Sequence, residues 1–159
     1  MTLATASVWL FVPGDRPDRF DRAGSSGANV AIVDLEDAVA PDRRSVARVA
    51  VVEALARGAR IAVRVSSPST ADGSADLDAL ATCANRPLAI VVAKAEGVAE
   101  LERVGALGVP LVPLVESAAG LLAAPTLARY PGTVRLAFGA VDFSLDVGCS
   151  PDPDVLGPV

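Results

Sequence analysis

Acidic side chains follow an apolar run of this sequence, at the position where a buried strand would end. Residues 31–33 are apolar, and three carboxylates follow them directly: Asp34, Glu36 and Asp37. Neighbouring carboxylates repel one another and are costly to bury unless a positive group joins them. We therefore expect positive partners beside these residues, namely a divalent cation together with basic side chains.

Charged residues recur at or after the ends of the other apolar runs, in the order Arg16, Arg64, Lys94, Glu96, Glu116 and Asp142. Mg²⁺ prefers oxygen ligands and usually takes one or two carboxylates, while waters and substrate oxygens complete its coordination. Glu116 and Asp142 follow consecutive predicted strands, so we predict that they bind the metal. The remaining carboxylates would hold metal-bound waters or orient basic side chains.

The composition excludes several classes of chemistry. The chain has no histidine, which removes Ser-His-Asp triads, histidine bases and histidine-ligated zinc. Its net charge of −5 argues against a nucleic-acid partner. Cys83 and Cys149 lie far apart without a CxxC motif, as expected for a reduced, cytoplasmic protein. We predict no membrane partner and no signal peptide, since the first apolar run is short and lacks a basic region before it.

Six short apolar runs recur roughly every 25 residues, which is the spacing expected of strands joined by crossover helices. They cover residues 8–13, 29–35, 60–65, 88–93, 109–115 and 134–140. Helices are predicted over 41–58, 96–108 and 116–130, with Pro125 kinking or breaking the last. Because the runs are continuously apolar, the sheet should be parallel and covered by helices. The architecture is either an open doubly wound sheet or a (β/α)₈ barrel two units short.

The motifs "WLFVPGDRPDRF", "VDLEDAVAP", "VRV", "VPLVES" and "AFGAVDFSLDVG", in this order, resemble the citrate lyase beta subunit family. That family includes citryl-CoA, malyl-CoA and citramalyl-CoA lyases. The resemblance implies a (β/α)₈ TIM-type barrel, with about six βα units within residues 1–149 and an irregular end over 150–159. It also implies Mg²⁺-dependent cleavage of a 3-hydroxyacyl-CoA into an acyl-CoA and a 2-oxo acid (oxaloacetate, pyruvate or glyoxylate).

The resemblance also implies roles for individual residues. Glu116 and Asp142 match the family's metal ligands, and Arg64 matches its keto-acid-binding arginine. Arg16 lies in the stretch associated with CoA. The predicted catalytic set is Arg64, Glu116 and Asp142, and the predicted substrate-binding set is Arg64, Arg16, Glu36 and Asp37. Two alternatives stay open: Glu116 could merely begin a helix, and Arg64 could form a structural ion pair with Glu36 or Asp37.

The sequence departs from the family pattern at three positions: Ser66 replaces an asparagine, Ala93 a proline and Val141 a glutamate. By resemblance, the family's chains continue through two more strands and a C-terminal segment. That segment reaches a neighbouring subunit and supplies an acid/base carboxylate. We therefore expect a homo-oligomer, by resemblance a trimer. We also expect the 159-residue chain to be C-terminally incomplete, to aggregate or melt at low temperature, and to show no turnover alone. Alternative functions are a related aldolase or thioesterase, or a non-catalytic keto-acid or CoA-binding homologue.

Overall fold

Six parallel strands form one curled sheet in the computed structural model, which describes residues 2–157. The strands are β1 (Trp9–Pro13), β2 (Val30–Asp34), β3 (Ala62–Val65), β4 (Ile90–Val92), β5 (Leu111–Val115) and β6 (Ala137–Phe138). Each strand pairs with the next in chain order. A doubly wound sheet would reverse its strand order part-way across. The predicted partial TIM-type barrel is therefore confirmed.

Seven α-helices occur in the described residues: α1 (Phe20–Gly24), α2 (Arg44–Ala56), α3 (Ala71–Ala81), α4 (Val98–Gly105), α5 (Ala118–Arg129), α6 (Ala140–Val147) and α7 (Pro153–Leu156). The three predicted helices correspond to α2, α4 and α5. The expected break at Pro125 is wrong, because α5 continues through it. Pro125 is exposed, and it lacks the N–H that would otherwise donate to the Leu121 carbonyl.

The core has two layers, because strand side chains alternate between the two faces of the sheet. Ala31 and Val33 of β2 pack outward against the helices. Val30 and Ile32 of the same strand point into the curl of the sheet, where they meet inward residues of the other strands. Asp34 continues this inward series. The alternation therefore brings the polar residues at the strand ends together at one rim of the barrel.

The curl brings the two edges of the sheet towards each other. Arg135, just before β6, donates from Nη1 to the carbonyl of Ala6 at 2.5 Å. Its guanidinium carbon also lies 5.4 Å from the centre of the Trp9 ring in β1. This contact spans the inner cavity near the beginnings of the strands, away from the rim that carries the charged residues.

Residues after β6 are mostly helical. The predicted strand 134–140 is shorter than expected, since it covers only Ala137–Phe138 before Gly139 turns the chain into α6. One short helix, α7, lies within the segment predicted to be irregular. Met1, Pro158 and Val159, which belong to the predicted ranges 1–149 and 150–159, lie outside the described residues. No helix among residues 2–157 has the length and apolarity needed to cross a membrane.

Candidate functional site

Asp34 and Arg64 form a buried, bidentate ion pair between the ends of β2 and β3. Arg64 donates from Nε to Asp34 Oδ1 and from Nη2 to Asp34 Oδ2, both at 2.6 Å. The two carboxylate oxygens also accept the backbone N–H groups of Glu36 at 3.0 Å and Ala38 at 2.9 Å. The Phe11 ring lies 5.1 Å from the guanidinium carbon. Asp34 therefore fixes both the arginine fork and the turn that follows β2.

The remaining edge of Arg64 makes looser contacts. Nη1 lies 3.1 Å from Glu36 Oε2 and 3.5 Å from Asp37 Oδ2. Within the described part of the chain, Glu36 Oε2 is a buried oxygen without a hydrogen-bond partner. The ion pairs foreseen as the structural alternative for Arg64 thus exist. The stronger partner is Asp34, and the Nη1–Nη2 edge is the one that a ligand carboxylate could approach.

Lys94 connects the carboxylates of this rim. Its Nζ donates to Glu36 Oε1 at 2.8 Å and lies 3.8 Å from Asp37 Oδ1 and 4.0 Å from Asp142 Oδ2. Its backbone N–H donates to Glu116 Oε1 at 2.7 Å. The hydrogen bond with Glu36 raises the pKa of Lys94 above its ordinary value. The sequence analysis located Lys94 at this rim but did not include it in a predicted site set. The available signal for a site role was a basic residue that follows a strand and lies among carboxylates.

Glu116 directly follows β5 and is only 4% exposed. It does not begin a helix, because α5 starts at Ala118 and Ser117 is its N-cap. A Cβ at Gly139 would lie 2.7 Å from Glu116 Cβ, so the backbone there leaves room only for glycine. Burial raises the pKa of Glu116 to about 7, and the negative charges of Glu36 and Asp142 add to this effect.

Asp142 lies in the first turn of α6 and not directly at the end of a strand, so that detail of the sequence interpretation is wrong. The chain leaves β6 at Phe138 and turns at Gly139. Asp142 still faces the same cavity as Glu116. This cavity has a volume of about 470 Å³ and is lined by Asp37, Lys94, Glu96, Glu116, Ser117, Asp142, Leu145 and Asp146.

Five of the six predicted site residues thus belong to one charged network. Asp37, Glu116 and Asp142 line the cavity, and Arg64 joins them through its contacts with Asp37 and Glu36. Arg16 lies elsewhere: it is exposed and pairs with Asp18, with 3.1 Å between Arg16 Nε and Asp18 Oδ1. Its predicted place near CoA stays a prediction.

The sequence interpretation placed Glu96 at a strand end without giving it a role, and it missed Ser117 and Asp146. Asp146 accepts the backbone N–H of Ala118 at 2.8 Å, and Glu96 accepts the Ser117 hydroxyl at 2.6 Å. These contacts connect the first turn of α5 to α6 and to the loop after β4. The spacing of Asp146 from Asp142, four residues apart on one helix face, was the available signal for Asp146.

The donor set fits Mg²⁺ better than it fits a closed structural metal site. Five carboxylates line the cavity, and the predicted pair, Glu116 and Asp142, are two of them. Mg²⁺ usually takes one or two such ligands with waters or substrate oxygens. Among residues 2–157, no group of three or more His, Cys, Asp or Glu residues is arranged to hold a metal ion. A closed site with four protein ligands, as in structural zinc centres, is therefore not formed by these residues.

The comparisons with known proteins identify the family. The chain matches the sequence model of the HpcH/HpaI aldolase/citrate lyase family over residues 7–156. It belongs to this family. A citrate lyase subunit beta-like protein of Mycobacterium tuberculosis is 37% identical over 147 residues, covering 92% of this chain and 52% of that protein. A (3S)-malyl-CoA thioesterase of Cereibacter sphaeroides is 35% identical over 153 residues, covering 92% and 53%.

Solved structures of this family confirm the fold. The M. tuberculosis citrate lyase beta subunit, complexed with oxaloacetate and magnesium, superimposes with a TM-score of 0.82 at 36% identity, covering 94% of this chain and 66% of that one. A complex of the M. tuberculosis protein with magnesium, acetoacetate and coenzyme A gives 0.80 at 37% identity, covering 93% and 54%. The chain spans about half the length of the curated relatives it matches.

Proposed function

We propose that this protein is a Mg²⁺-dependent carbon–carbon lyase that cleaves a 3-hydroxyacyl-CoA of the citryl-CoA or malyl-CoA type. The observation that carries the proposal is the cavity at the strand ends, where Glu116 and Asp142 lie beside the Arg64 network. Solved relatives that contain magnesium with oxaloacetate, or magnesium with acetoacetate and coenzyme A, support the choice of ligands.

The site residues divide into metal ligands and carboxylate binders. Glu116 and Asp142 would hold Mg²⁺, which when bound supplies the positive charge that polarises an oxygen of the 2-oxo acid. Arg64 presents its Nη1–Nη2 edge to the carboxylate of that acid, because Asp34 already holds the other edge. Glu36 and Asp37 contact Nη1 and so help to set the orientation in which this edge meets the substrate; their place in the substrate-binding set stays a prediction.

The reaction itself needs no covalent nucleophile. The substrate hydroxyl loses its proton and its carbon becomes the carbonyl of the 2-oxo acid. The electrons of the broken carbon–carbon bond pass to the α-carbon of the acyl-CoA, which then takes up a proton. The absence of histidine is therefore compatible with this chemistry, since carboxylates and water can exchange these protons.

Homo-oligomerisation stays a prediction, which sedimentation velocity would test.

Thioester hydrolysis is the second candidate, because the (3S)-malyl-CoA thioesterase matches as large a share of the chain as the citrate lyase beta-like protein does. The two reactions leave different products. Lyase activity on malyl-CoA gives glyoxylate and acetyl-CoA, whereas hydrolysis gives malate and free CoA. Parallel measurements of keto acid and of free thiol distinguish them, and a keto-acid or CoA-binding homologue without activity would form neither product.

The metal assignment is tested by calorimetry of oxaloacetate or pyruvate binding in the presence of Mg²⁺. Glu116→Gln and Asp142→Asn should each abolish the metal-dependent binding, because each removes one of only two negative ligands. The variants should remain folded. Glu53→Gln is the matched control, since Glu53 is an exposed carboxylate on α2, paired only with Arg57 at 3.8 Å. Unaltered binding in both site variants would refute the assignment.

A further inference from the structure

Lys94 adopts a backbone conformation that lysine disfavours. Its φ is 51°, and among residues 2–157 no other residue except glycine has a positive φ. A left-handed conformation costs a residue with a Cβ about 1–2 kcal/mol, whereas glycine and asparagine tolerate it. Such strain persists only when the surrounding contacts hold it in place, and it is common at functional sites.

The contacts on either side show what this conformation achieves. The N–H of Ala93, before Lys94, donates to the Val65 carbonyl of β3 at 3.3 Å. The N–H of Ala95, after it, donates to the Leu114 carbonyl of β5 at 3.2 Å. In a regular central strand, residues 93 and 95 would donate to the same neighbouring strand, so Lys94 is the residue at which this alternation shifts.

The N–H of Lys94 itself is thereby released from the sheet. It points at the Glu116 carboxylate, with 2.7 Å between the nitrogen and Oε1. With the contacts of Ala93 and Ala95 kept, a right-handed or extended residue at this position would turn that N–H elsewhere. The side chain makes a separate contact, from Nζ to Glu36 Oε1 at 2.8 Å. Lys94 therefore makes two independent contributions to the site, one from its main chain and one from its ammonium group.

We propose that Lys94 is a positioning residue whose left-handed main chain orients the Glu116 carboxylate for the metal ion. This inference rests on the proposed function, in which Glu116 is a metal ligand. The ammonium group contributes separately, through Glu36. The competing explanation is that Lys94 matters only as an ion-pair partner, in which case its backbone conformation would be irrelevant to metal affinity.

The matched variants Lys94→Asn and Lys94→Val separate the two contributions. Both remove the ammonium group, but asparagine tolerates a left-handed conformation and β-branched valine does not. The probe is Mn²⁺ alone, with free Mn²⁺ measured by electron paramagnetic resonance. We expect Lys94→Val to bind Mn²⁺ about five- to thirtyfold more weakly than Lys94→Asn, the factor that corresponds to the cost of the left-handed conformation.

Gly58 provides the control for left-handed backbone strain at a position away from the proposed metal site. It also has a positive φ, of 85°, and nothing lies within 4 Å of the position its Cβ would take. Gly58→Val should lower the melting temperature relative to Gly58→Asn but leave Mn²⁺ affinity unchanged. If Lys94→Val does not fold, Lys94→Ala takes its place in the comparison, because alanine also pays the left-handed cost.

A Glu116→Gln variant distinguishes failure of the inference from failure of the proposed function. If Glu116→Gln binds Mn²⁺ as well as the parent protein does, Glu116 is not a metal ligand and the proposed function fails. If Glu116→Gln loses binding while the asparagine and valine variants at position 94 bind equally, the role of the Lys94 main chain is refuted. The inference is supported if Lys94→Val binds Mn²⁺ more weakly than Lys94→Asn while Gly58→Val and Gly58→Asn bind it equally.

Discussion

Asp34 offers the sharpest test of how this site is held together, because both oxygens of its carboxylate already accept two hydrogen bonds each. Oδ1 accepts N–H groups from Arg64 and Glu36, and Oδ2 accepts N–H groups from Arg64 and Ala38. In Asp34→Asn one oxygen becomes an NH₂ group. Whichever way the amide is turned, that group faces two N–H donors. The substitution keeps the shape of the side chain, yet no orientation of it satisfies the site.

The expected loss of unfolding free energy in Asp34→Asn follows from the burial of this carboxylate. Asp34 is 0% exposed, and removing one partner of a buried ion pair costs about 3–5 kcal/mol. Glu36 and Asp37 still contact Nη1 of Arg64, so we take the lower end, about 3 kcal/mol, for the loss in unfolding free energy. For a domain of this size that corresponds to a melting temperature lower by about 6–12 °C.

Urea unfolding followed by circular dichroism measures this loss. Asp37→Asn is the matched control, because Asp37 has a half-exposed side chain and a single 3.5 Å contact to Arg64. It should cost about 1 kcal/mol or less. Adding Arg64→Met to Asp34→Asn should recover part of the stability, since it removes the buried charge left without its partner. An Asp34→Asn variant as stable as Asp37→Asn would refute the reasoning.

Three further outcomes are expected. Arg64→Lys keeps the charge but loses the planar fork, so calorimetry should show keto-acid binding weakened roughly thirtyfold, about 2 kcal/mol; equal binding would make Arg64 a structural ion-pair residue. Gly139→Ala places a Cβ 2.7 Å from Glu116 Cβ and should weaken Mn²⁺ binding in a folded protein, which unchanged affinity would contradict. The hydrogen bond from Arg44 at 2.6 Å lowers the pKa of Asp72. The ionised Asp72 therefore stabilises the fold above the unfolded-state pKa of this carboxyl, and this stabilisation is lost as pH falls through its folded-state pKa. Asp72→Asn should therefore be less stable than the parent near neutral pH and converge with it in acid; a constant difference in urea unfolding across that range would contradict this.

The strands were predictable from sequence because each is a continuous apolar run, but α3 was not. Its sequence, "ADGSADLDALA", has few large apolar residues, so its periodicity is weak. The helix depends on contacts that the sequence does not display. Thr70 accepts the N–H of Gly73 at 3.0 Å, and Asp76 binds Arg48 of α2 at 2.9 Å. Tertiary pairing thus compensates for a weak local signal.

The residues that carry charge at the rim were predictable, but the way they are oriented was not. Glu116 and Arg64 could be placed because each follows, or nearly ends, an apolar run. The left-handed backbone of Lys94 has no sequence signal, since lysine is neither glycine nor asparagine. The four hydrogen bonds that the Asp34 carboxylate accepts join two strands and a turn, so only the folded chain shows them.

The charges at the rim account for the three carboxylates that follow β2. Arg64 and Lys94 are the positive partners of Asp34, Glu36 and Asp37. Two basic groups do not neutralise three carboxylates, and Glu116 and Asp142 add two more negative groups to the same network. With the five acids of this network ionised, the network has an excess of three negative charges, which a divalent cation would reduce to one; the charges of Glu36 and Asp142 also help to raise the pKa of Glu116. The basic side chains therefore explain how Asp34 and Glu36 are buried, and the remaining excess of negative charge would favour a bound metal ion.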